Sequence, residues 1–242
     1  MSHPDEPLPS PRPACLRCRR PASTCLCAHI WPQRPRTKFV FLTHPKEARK
    51  TKNGSGRLAH LGLLASELLV GVDFRDHPRV VELLADPRFD CQLLYPPVPG
   101  SPAAALAPPG RVPVLFVIDG TWPCAKKVMK LSTNLHGLPR VGVPAGPPSA
   151  FLTKHQPDPA CLATIEAVDR VLLERSRRGE ETWTAESSER LLRPFHAMVR
   201  SSMEHAANPP ANSYRRSGPF RPPEQRPGRT VTTSGRNIVF QG

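Results

Sequence analysis

The sequence has no run of 18 apolar residues, and acidic residues are scarce in it. The first absence excludes a membrane-spanning helix of ordinary length. The second leaves 34 Lys and Arg against 20 Asp and Glu, a formal net charge of +14. Such a charge attracts polyanions, so we expect a nucleic-acid partner ahead of an acidic membrane surface. A charge surplus that serves only solubility is the alternative.

A secretory signal is also missing from the start of the chain. The segment MSHPDEPLPSPRP has neither a basic region nor an apolar one. We therefore expect a cytoplasmic protein whose cysteines stay reduced. The sequence indicates no membrane partner and no obligate protein partner.

Proline, with 32 residues, is abundant and marks the irregular parts of the chain. We predict a disordered Pro-rich tail over residues 1–14, a small cysteine module over 15–36, one α/β domain over 37–206, and a disordered Arg- and Pro-rich tail over 207–242. The origin of the final NIVFQG stays open. Residues 96–113 hold seven prolines and predict a surface loop.

Strands alternate with helices in the predicted domain, which indicates an α/β fold. The segment VPVLFVI (112–118) is apolar throughout, which is typical of a parallel strand buried on both faces. The other predicted elements are strands at 38–45, 91–95 and 139–144, and helices at 57–69, 80–87, 123–135, 159–178 and 185–206, the last interrupted or kinked at Pro194.

Four of the seven cysteines lie within thirteen residues, in the pattern C-x2-C-x6-C-x-C: Cys15, Cys18, Cys25 and Cys27. Two close pairs of thiolates can surround one tetrahedral ion, so we predict a structural zinc site. Four unrelated free cysteines, or a redox sensor, are the alternatives. Cys91, Cys124 and Cys161 are scattered and are expected to be small core residues.

A basic loop follows the first strand. Between Arg34 and Arg57 the chain carries eight Lys or Arg and one acidic residue, Glu47. The loop matches neither the P-loop pattern nor G-x-G-x-x-G. It is either a solvated basic loop or one whose backbone and side chains contact phosphates, and its charge favours the second.

The segment VLFVIDGTWPCAKKVMK places a carboxylate, a hydroxyl and an indole at the end of the buried strand. In open α/β sheets, ligands bind beyond the carboxyl ends of strands. Asp119 could therefore act as a general base, with Thr121 and Trp122 lining a pocket. Asp119 as a helix cap, with Trp122 in the core, is the simpler alternative.

Five motifs occur in one order along residues 15–203: the cysteine cluster, THPKEARKTKNGSGRL, LLYPP, DGTW and LATIEAV. Together they resemble the signature of the DTW-domain family. The resemblance implies a tRNA-uridine aminocarboxypropyltransferase, which moves the 3-amino-3-carboxypropyl group of S-adenosylmethionine to N3 of a uridine. It also implies a SPOUT-like fold, a mostly parallel sheet flanked by helices with a C-terminal trefoil knot. The target that it implies is a variable-loop uridine first and a D-loop uridine as the alternative.

The resemblance also suggests roles for individual residues. Asp119 would accept or position the N3 proton. The donor, S-adenosylmethionine, would contact Gly120, Thr121, Trp122, Val143, Leu152, Thr164 and Glu166. The tRNA would contact Arg19, Arg49, Lys52, Arg57, Lys126, Lys127 and Lys154.

Three departures from the family pattern stand out. Ala163 replaces the usual Ser, so no hydroxyl at that position is essential here. Lys154-His155 replaces an Arg-containing stretch, and Pro123-Cys124 is unusual after the Trp.

Three other functions compete with this one. They are a SAM-dependent RNA methyltransferase on a similar fold, a non-catalytic zinc RNA-binding protein, and a zinc hydrolase. A zinc hydrolase needs an open coordination position on its metal, and four cysteine ligands leave none.

Overall fold

The strand with the most continuous apolar sequence, Val112–Asp119, lies at the centre of a five-stranded sheet. The computed structural model describes residues 14–49, 54–100, 102, 104–152 and 161–207. The two predicted disordered tails therefore lie outside the described residues, except for Ala14 and Ala207. In chain order the elements are β1 (Lys38–Thr43), α1 (Pro45–Arg49), α2 (Ser55–Gly62), β2 (Ser66–Val70), α3 (Pro78–Ala85), β3 (Phe89–Leu94), β4 (Val112–Asp119), α4 (Trp122–Leu131), β5 (Arg140–Val141), α5 (Thr164–Arg177) and α6 (Ala185–Ala207).

The sheet has the strand order β2-β1-β4-β3-β5, and every neighbouring pair is parallel. The carboxyl ends of all five strands therefore meet at one edge. Thr43, the last residue of β1, is in register with Asp119, the last residue of β4. The predicted α/β class with a mostly parallel sheet is confirmed, while the knot stays a prediction.

Helices cover both faces of the sheet. Phe39 and Phe41 of β1 pack into a core with α2, α5 and α6. Val40 and Leu42, which point to the opposite face, pack into a second core with α3 and α4. This alternation confirms that the central strands are buried on both sides, as their unbroken apolar sequence indicates.

The predicted helix over 57–69 is wrong in its second half. The chain leaves α2 after Gly62, and Ser66–Val70 forms the edge strand β2. The Ser66 hydroxyl lies 2.6 Å from the Leu63 carbonyl oxygen, so it satisfies an acceptor at the end of the helix. The apolar residues of this segment suit a helix or a strand, and the open edge of β1 selects the strand.

Other boundaries differ less from the predictions. Helix α4 ends at Leu131, where the predicted helix runs on to residue 135; a 3-10 turn over Thr133–Leu135 replaces its end. The predicted helix over 159–178 begins only at Thr164, and residues 153–160 lie outside the description. Helix α6 continues through Pro194, so the predicted interruption is wrong. Pro194 has no backbone N–H, so the carbonyl of Arg190 loses its helical hydrogen bond. Arg190 is exposed, and water can bond to that carbonyl instead.

In the part of the chain that the structure describes, no helix is long and apolar enough to span a membrane.

Candidate functional site

Asp119 is a buried carboxylate at the carboxyl edge of the sheet, with 6 % of its surface exposed. Burial of a charge requires hydrogen-bond donors. The Thr164 hydroxyl, on the first residue of α5, donates to Oδ1 at 2.8 Å. The Thr43 hydroxyl lies 3.4 Å from Oδ2. Elements far apart in sequence thus orient one carboxyl group.

The first turn of α2 closes a third side of this carboxylate. Ser55 Oγ accepts a hydrogen bond from the Thr164 backbone N–H at 3.1 Å. Gly56 lies so close that a Cβ built on it would be 2.3 Å from Asp119 Cγ. Burial lowers the pKa of the next residue, Arg57, and the charges of Asp119 and Cys18 oppose that shift. Three elements therefore converge on Asp119.

The free space beside the carboxylate is small. It is lined by Thr43, Glu47, Ala48, Gly54, Arg57, Leu68 and Asp119, and has a volume of about 10 Å³ for the centre of a water-sized sphere. That volume holds about one water molecule. In this conformation the space admits a water-sized group.

Trp122 and its neighbours form the outer wall of the site. The indole is 36 % exposed, so Trp122 is not a core residue. Its ring packs edge-to-face on Tyr95, with centroids 6.1 Å apart, and its Nε1 lies 3.4 Å from Cys161 Sγ. The Arg140 guanidinium lies over the other part of this wall, 5.4 Å from the Tyr95 ring. Trp122 is exposed and Tyr95 is partly buried, and such a pair with a nearby cation is a surface on which a planar ring can stack.

The helix-cap interpretation of Asp119 does not hold. The residue at the N-cap position of α4 is Thr121, whose carbonyl accepts the Ala125 N–H at 2.8 Å. Gly120 lies between Asp119 and this cap, and a Cβ there would be 3.1 Å from the Cys124 Cβ. The side chain of Asp119 is thus directed to the site and not to the start of α4.

Glu166 has protein partners for both of its oxygens. Oε1 accepts the Ala150 N–H at 2.8 Å, and Oε2 accepts the Ala163 N–H at 2.8 Å and the Ser149 hydroxyl at 2.5 Å. It therefore joins the segment before α5 to the first turn of that helix. Its predicted contact with an ammonium group stays a prediction.

Val143 and Leu152 lie between β5 and α5, and each is 42 % exposed. Val143 follows β5 by two residues, which places it at the same edge of the sheet as Asp119. Their proposed contacts with adenosine stay predictions.

His44, the residue after Thr43, lies near two lysines and one glutamate, Lys46, Lys127 and Glu47. The His44 backbone N–H donates to the Asp119 carbonyl at 3.0 Å, and His44 Nδ1 accepts the Lys46 N–H at 3.1 Å. The pKa of His44 is lowered, first by burial and then by the charges of Lys46 and Lys127. The imidazole is therefore neutral at pH 7 and carries its proton on Nε2.

The predicted tRNA-binding residues divide into three groups. Arg19, Arg49, Lys126 and Lys127 are exposed, and Arg57 is partly buried. Arg19 is near enough to Arg57 to lower its pKa, which places the cysteine module beside α2. Lys52 and Lys154 lie outside the described residues.

The four clustered cysteines meet in space. Their Sγ atoms all lie within 4.8 Å of one another, with 3.6 Å between Cys15 and Cys27 and 3.8 Å between Cys18 and Cys25. Tetrahedral zinc with Zn–S bonds of about 2.3 Å requires sulfurs about 3.8 Å apart. Backbone hydrogen bonds from Cys18 and Arg17 lower the pKa of Cys15 to about 6, whereas burial and the neighbouring sulfurs raise the pKa of its partner Cys27. The residues fit a closed, structural zinc site.

Sequence reasoning missed four residues at this site: Thr43, His44, Ser55 and Gly56. All lie in the motif THPKEARKTKNGSGRL, which indicated the region without selecting them. Thr43 ends a strand that lies next to the strand ending in Asp119. It could be selected only by a reader who already knew that these two strands are neighbours in the sheet. Gly56 precedes the predicted helix over 57–69, so no signal in the sequence marked it.

Residues 12–203 of the chain match the DTW domain family. Three curated relatives carry the name tRNA-uridine aminocarboxypropyltransferase 2. The Drosophila melanogaster protein is 29 % identical over 206 residues, covering 82 % of this chain and 78 % of that protein. The Macaca fascicularis and Mus musculus proteins are 29 % and 31 % identical, each covering 81 % of this chain.

The chain spans 65 % of the length of the macaque and mouse proteins. No solved structure matches the chain. The family match covers most of the sequence, including the cysteine cluster, the motif around Asp119 and helix α5. The chain belongs to the DTW-domain family.

Proposed function

We propose that this protein is a tRNA-uridine aminocarboxypropyltransferase that uses S-adenosylmethionine as donor. The observation that carries the proposal is the buried Asp119 carboxylate, held at the carboxyl edge of the sheet by Thr164. The names of the three relatives support the reaction class. The excess of basic residues supports a polyanionic substrate.

The proposed role of Asp119 is to accept or position the N3 proton of the target uridine. The Thr164 hydroxyl orients Oδ1, and a carboxylate oxygen can accept more than one hydrogen bond. Burial strengthens the interaction of the carboxylate with a substrate N–H. Because the methionyl Cγ of the donor, and not its methyl, must lie in line with uridine N3, orientation would supply most of the rate.

When bound, S-adenosylmethionine would supply a carbon bonded to a sulfonium sulfur, and breaking that carbon–sulfur bond releases methylthioadenosine as the leaving group. The Trp122–Tyr95 pair offers a stacking surface for a base. Exposed Arg19 and Lys127 would contact tRNA phosphates. The four cysteines would hold zinc and keep the module that carries Arg19 folded.

The proposal includes a cytoplasmic location. None of the seven cysteines, all of them among the described residues, forms a disulfide, and a reducing compartment maintains that state.

The decisive experiment incubates the purified protein with S-adenosylmethionine and unmodified tRNA and analyses both products by mass spectrometry. We expect methylthioadenosine and a uridine that carries the aminocarboxypropyl group. Asp119→Asn should lower kcat by about 100-fold or more while the protein stays folded and still binds the donor.

Asp73→Asn is the matched control, since Asp73 is an exposed carboxylate paired with Arg75. S-adenosylhomocysteine as product would replace the proposal with a methyltransferase. Near-normal turnover of Asp119→Asn at saturating tRNA would show that Asp119 does not accept or position the N3 proton.

A further inference from the structure

We propose that Gly56 is a positioning residue, which must lack a side chain so that the Asp119 carboxylate can occupy its place. The inference rests on the proposed function for its kinetic part. It concerns a residue of α2 to which neither the motif analysis nor the family match gives a role.

The contact between Gly56 and Asp119 is the closest of any described glycine. A Cβ on Gly56 would lie 2.3 Å from Asp119 Cγ, 2.4 Å from Oδ2 and 2.5 Å from Oδ1. All three distances are shorter than van der Waals contact allows. Ala at this position therefore requires either the carboxylate or the helix to move.

The helix has little freedom to move away. Gly56 and its neighbour Ser55 are both buried. Ser55 Oγ is bonded to the Thr164 backbone N–H, and the Thr164 hydroxyl is bonded to Asp119 Oδ1. A retreat of α2 would break the first of these bonds, which also ties α2 to the start of α5.

The carboxylate is therefore the group that must turn. The Asp119 side chain is short, and its carboxylate contacts the hydroxyl groups of Thr164 and Thr43 on two sides. A rotation that avoids a Cβ on Gly56 moves the oxygens away from these partners. Misplacement of a reacting group by about 1 Å can reduce a rate by about 100-fold.

Helix propensity disfavours glycine at position 56. Gly56 is the second residue of α2, with no positive φ angle that would require glycine. Glycine within a helix is less favourable than alanine. In the absence of Asp119, Ala at this position should therefore stabilise the protein.

Two measurements on the full chain test the proposal. In steady-state kinetics with S-adenosylmethionine and tRNA, Gly56→Ala should lower kcat by about 10-fold or more and change KM by less than about threefold. In urea unfolding, Gly56→Ala should lower the midpoint when Asp119 is present. It should leave the midpoint unchanged or raise it in the Asp119→Ala background.

Two glycine variants serve as controls. Gly137→Ala adds a Cβ with nothing within 4 Å and should match the wild type. Gly62→Ala lies in the same helix, where a Cβ would be 2.9 Å from Leu191 Cδ1. Its effect on the urea midpoint should be equal with and without Asp119, and its kcat should match that of the wild type.

A kcat of Gly56→Ala within twofold of wild type would overturn the proposal, as would an equal fall of the urea midpoint in both Asp119 backgrounds. If the wild type makes no product, the proposed reaction fails, and the unfolding measurements still decide whether Gly56 makes room for Asp119.

Discussion

Among single residues, Glu166 combines an observed structural role with a predicted contact to the donor, and experiment can separate the two. Its oxygens accept three hydrogen bonds from within the protein, at Ala150, Ala163 and Ser149. A residue in this position stabilises the fold whether or not it also contacts the donor.

We expect Glu166→Gln to lower the free energy of unfolding by about 1–3 kcal/mol, because an amide NH2 must then face at least one N–H donor. Urea unfolding with and without S-adenosylmethionine measures this. Glu186→Gln is the control, since Glu186 is an exposed partner of Arg190. If Glu166→Gln weakens donor binding and leaves the free energy of unfolding unchanged, the hydrogen bonds of Glu166 to Ser149, Ala150 and Ala163 do not stabilise the fold.

The position of Asp119 could be predicted from the sequence, since an unbroken apolar strand ending in a carboxylate marks the edge of a parallel sheet. The partners Thr43, Ser55 and Gly56 could not. Each reaches Asp119 through strand order or helix packing, which depend on contacts between residues far apart in the chain. The cysteine site was predictable because all its ligands lie within one short segment.

At the scale of elements, the edge strand β2 shows why local pattern was insufficient. Its residues Leu68 and Leu69 fit helical and strand periods equally, and the sequence alone extends α2 through them. What distinguishes β2 is Glu67, which forms ion pairs with Lys38 of β1 at 2.6 Å and with Arg79 of α3 at 2.7 Å. These contacts join three elements. A short stretch of sequence around Glu67 does not contain its partners, so local pattern cannot reveal them.

Hydrogen bonds from Arg79, and then Lys38, lower the pKa of Glu67 to about 2 from an ordinary 4.5. Because the folded-state pKa is depressed, the stabilisation is complete above about pH 4.5 and is lost as the pH falls towards 2. We expect Glu67→Gln to reduce stability at pH 7 by about 1–2 kcal/mol, after allowance for partial solvent exposure.

Urea unfolding of the wild type and the variant from pH 7 to pH 3 tests this, with Glu82→Gln, an exposed partner of Arg79, as control. The difference between wild type and Glu67→Gln should shrink as the pH falls below about 4.5. A difference that is constant with pH would mean that the ion pairs do not fasten β2.

On the scale of the whole molecule, the cysteine module and the α/β domain share one core. Leu26 and Ile30 of the module are buried in the same cluster as Phe195 of α6. Glu181 accepts the backbone N–H groups of Arg36 and Thr37, at 2.9 and 2.6 Å, where the module joins β1. The boundary at residue 36 stays a prediction, and the residues on its two sides share one hydrophobic cluster.

This packing fixes where the module presents its charge. Arg19 has a positive φ of 58°, an uncommon conformation outside glycine, in the turn between Cys18 and Arg20. It lies close enough to Arg57 for the two guanidinium charges to interact, and Arg57 interacts in turn with Asp119. Arg57 beside Asp119, with Arg19 beside Arg57, concentrates positive charge at this site, which would attract a polyanion.

We therefore expect Arg19→Ala to weaken tRNA binding and to reduce the slope of log K against log salt by about 0.7–0.9, the effect of one lost phosphate contact. Filter binding over a series of salt concentrations measures it. Arg88→Ala is the control, because Arg88 is an exposed Arg before β3, at the opposite edge of the sheet, and pairs with Asp86. An unchanged slope for Arg19→Ala would place the RNA elsewhere, whereas equal slopes for both variants would mean that net charge, and not the position of Arg19, governs binding.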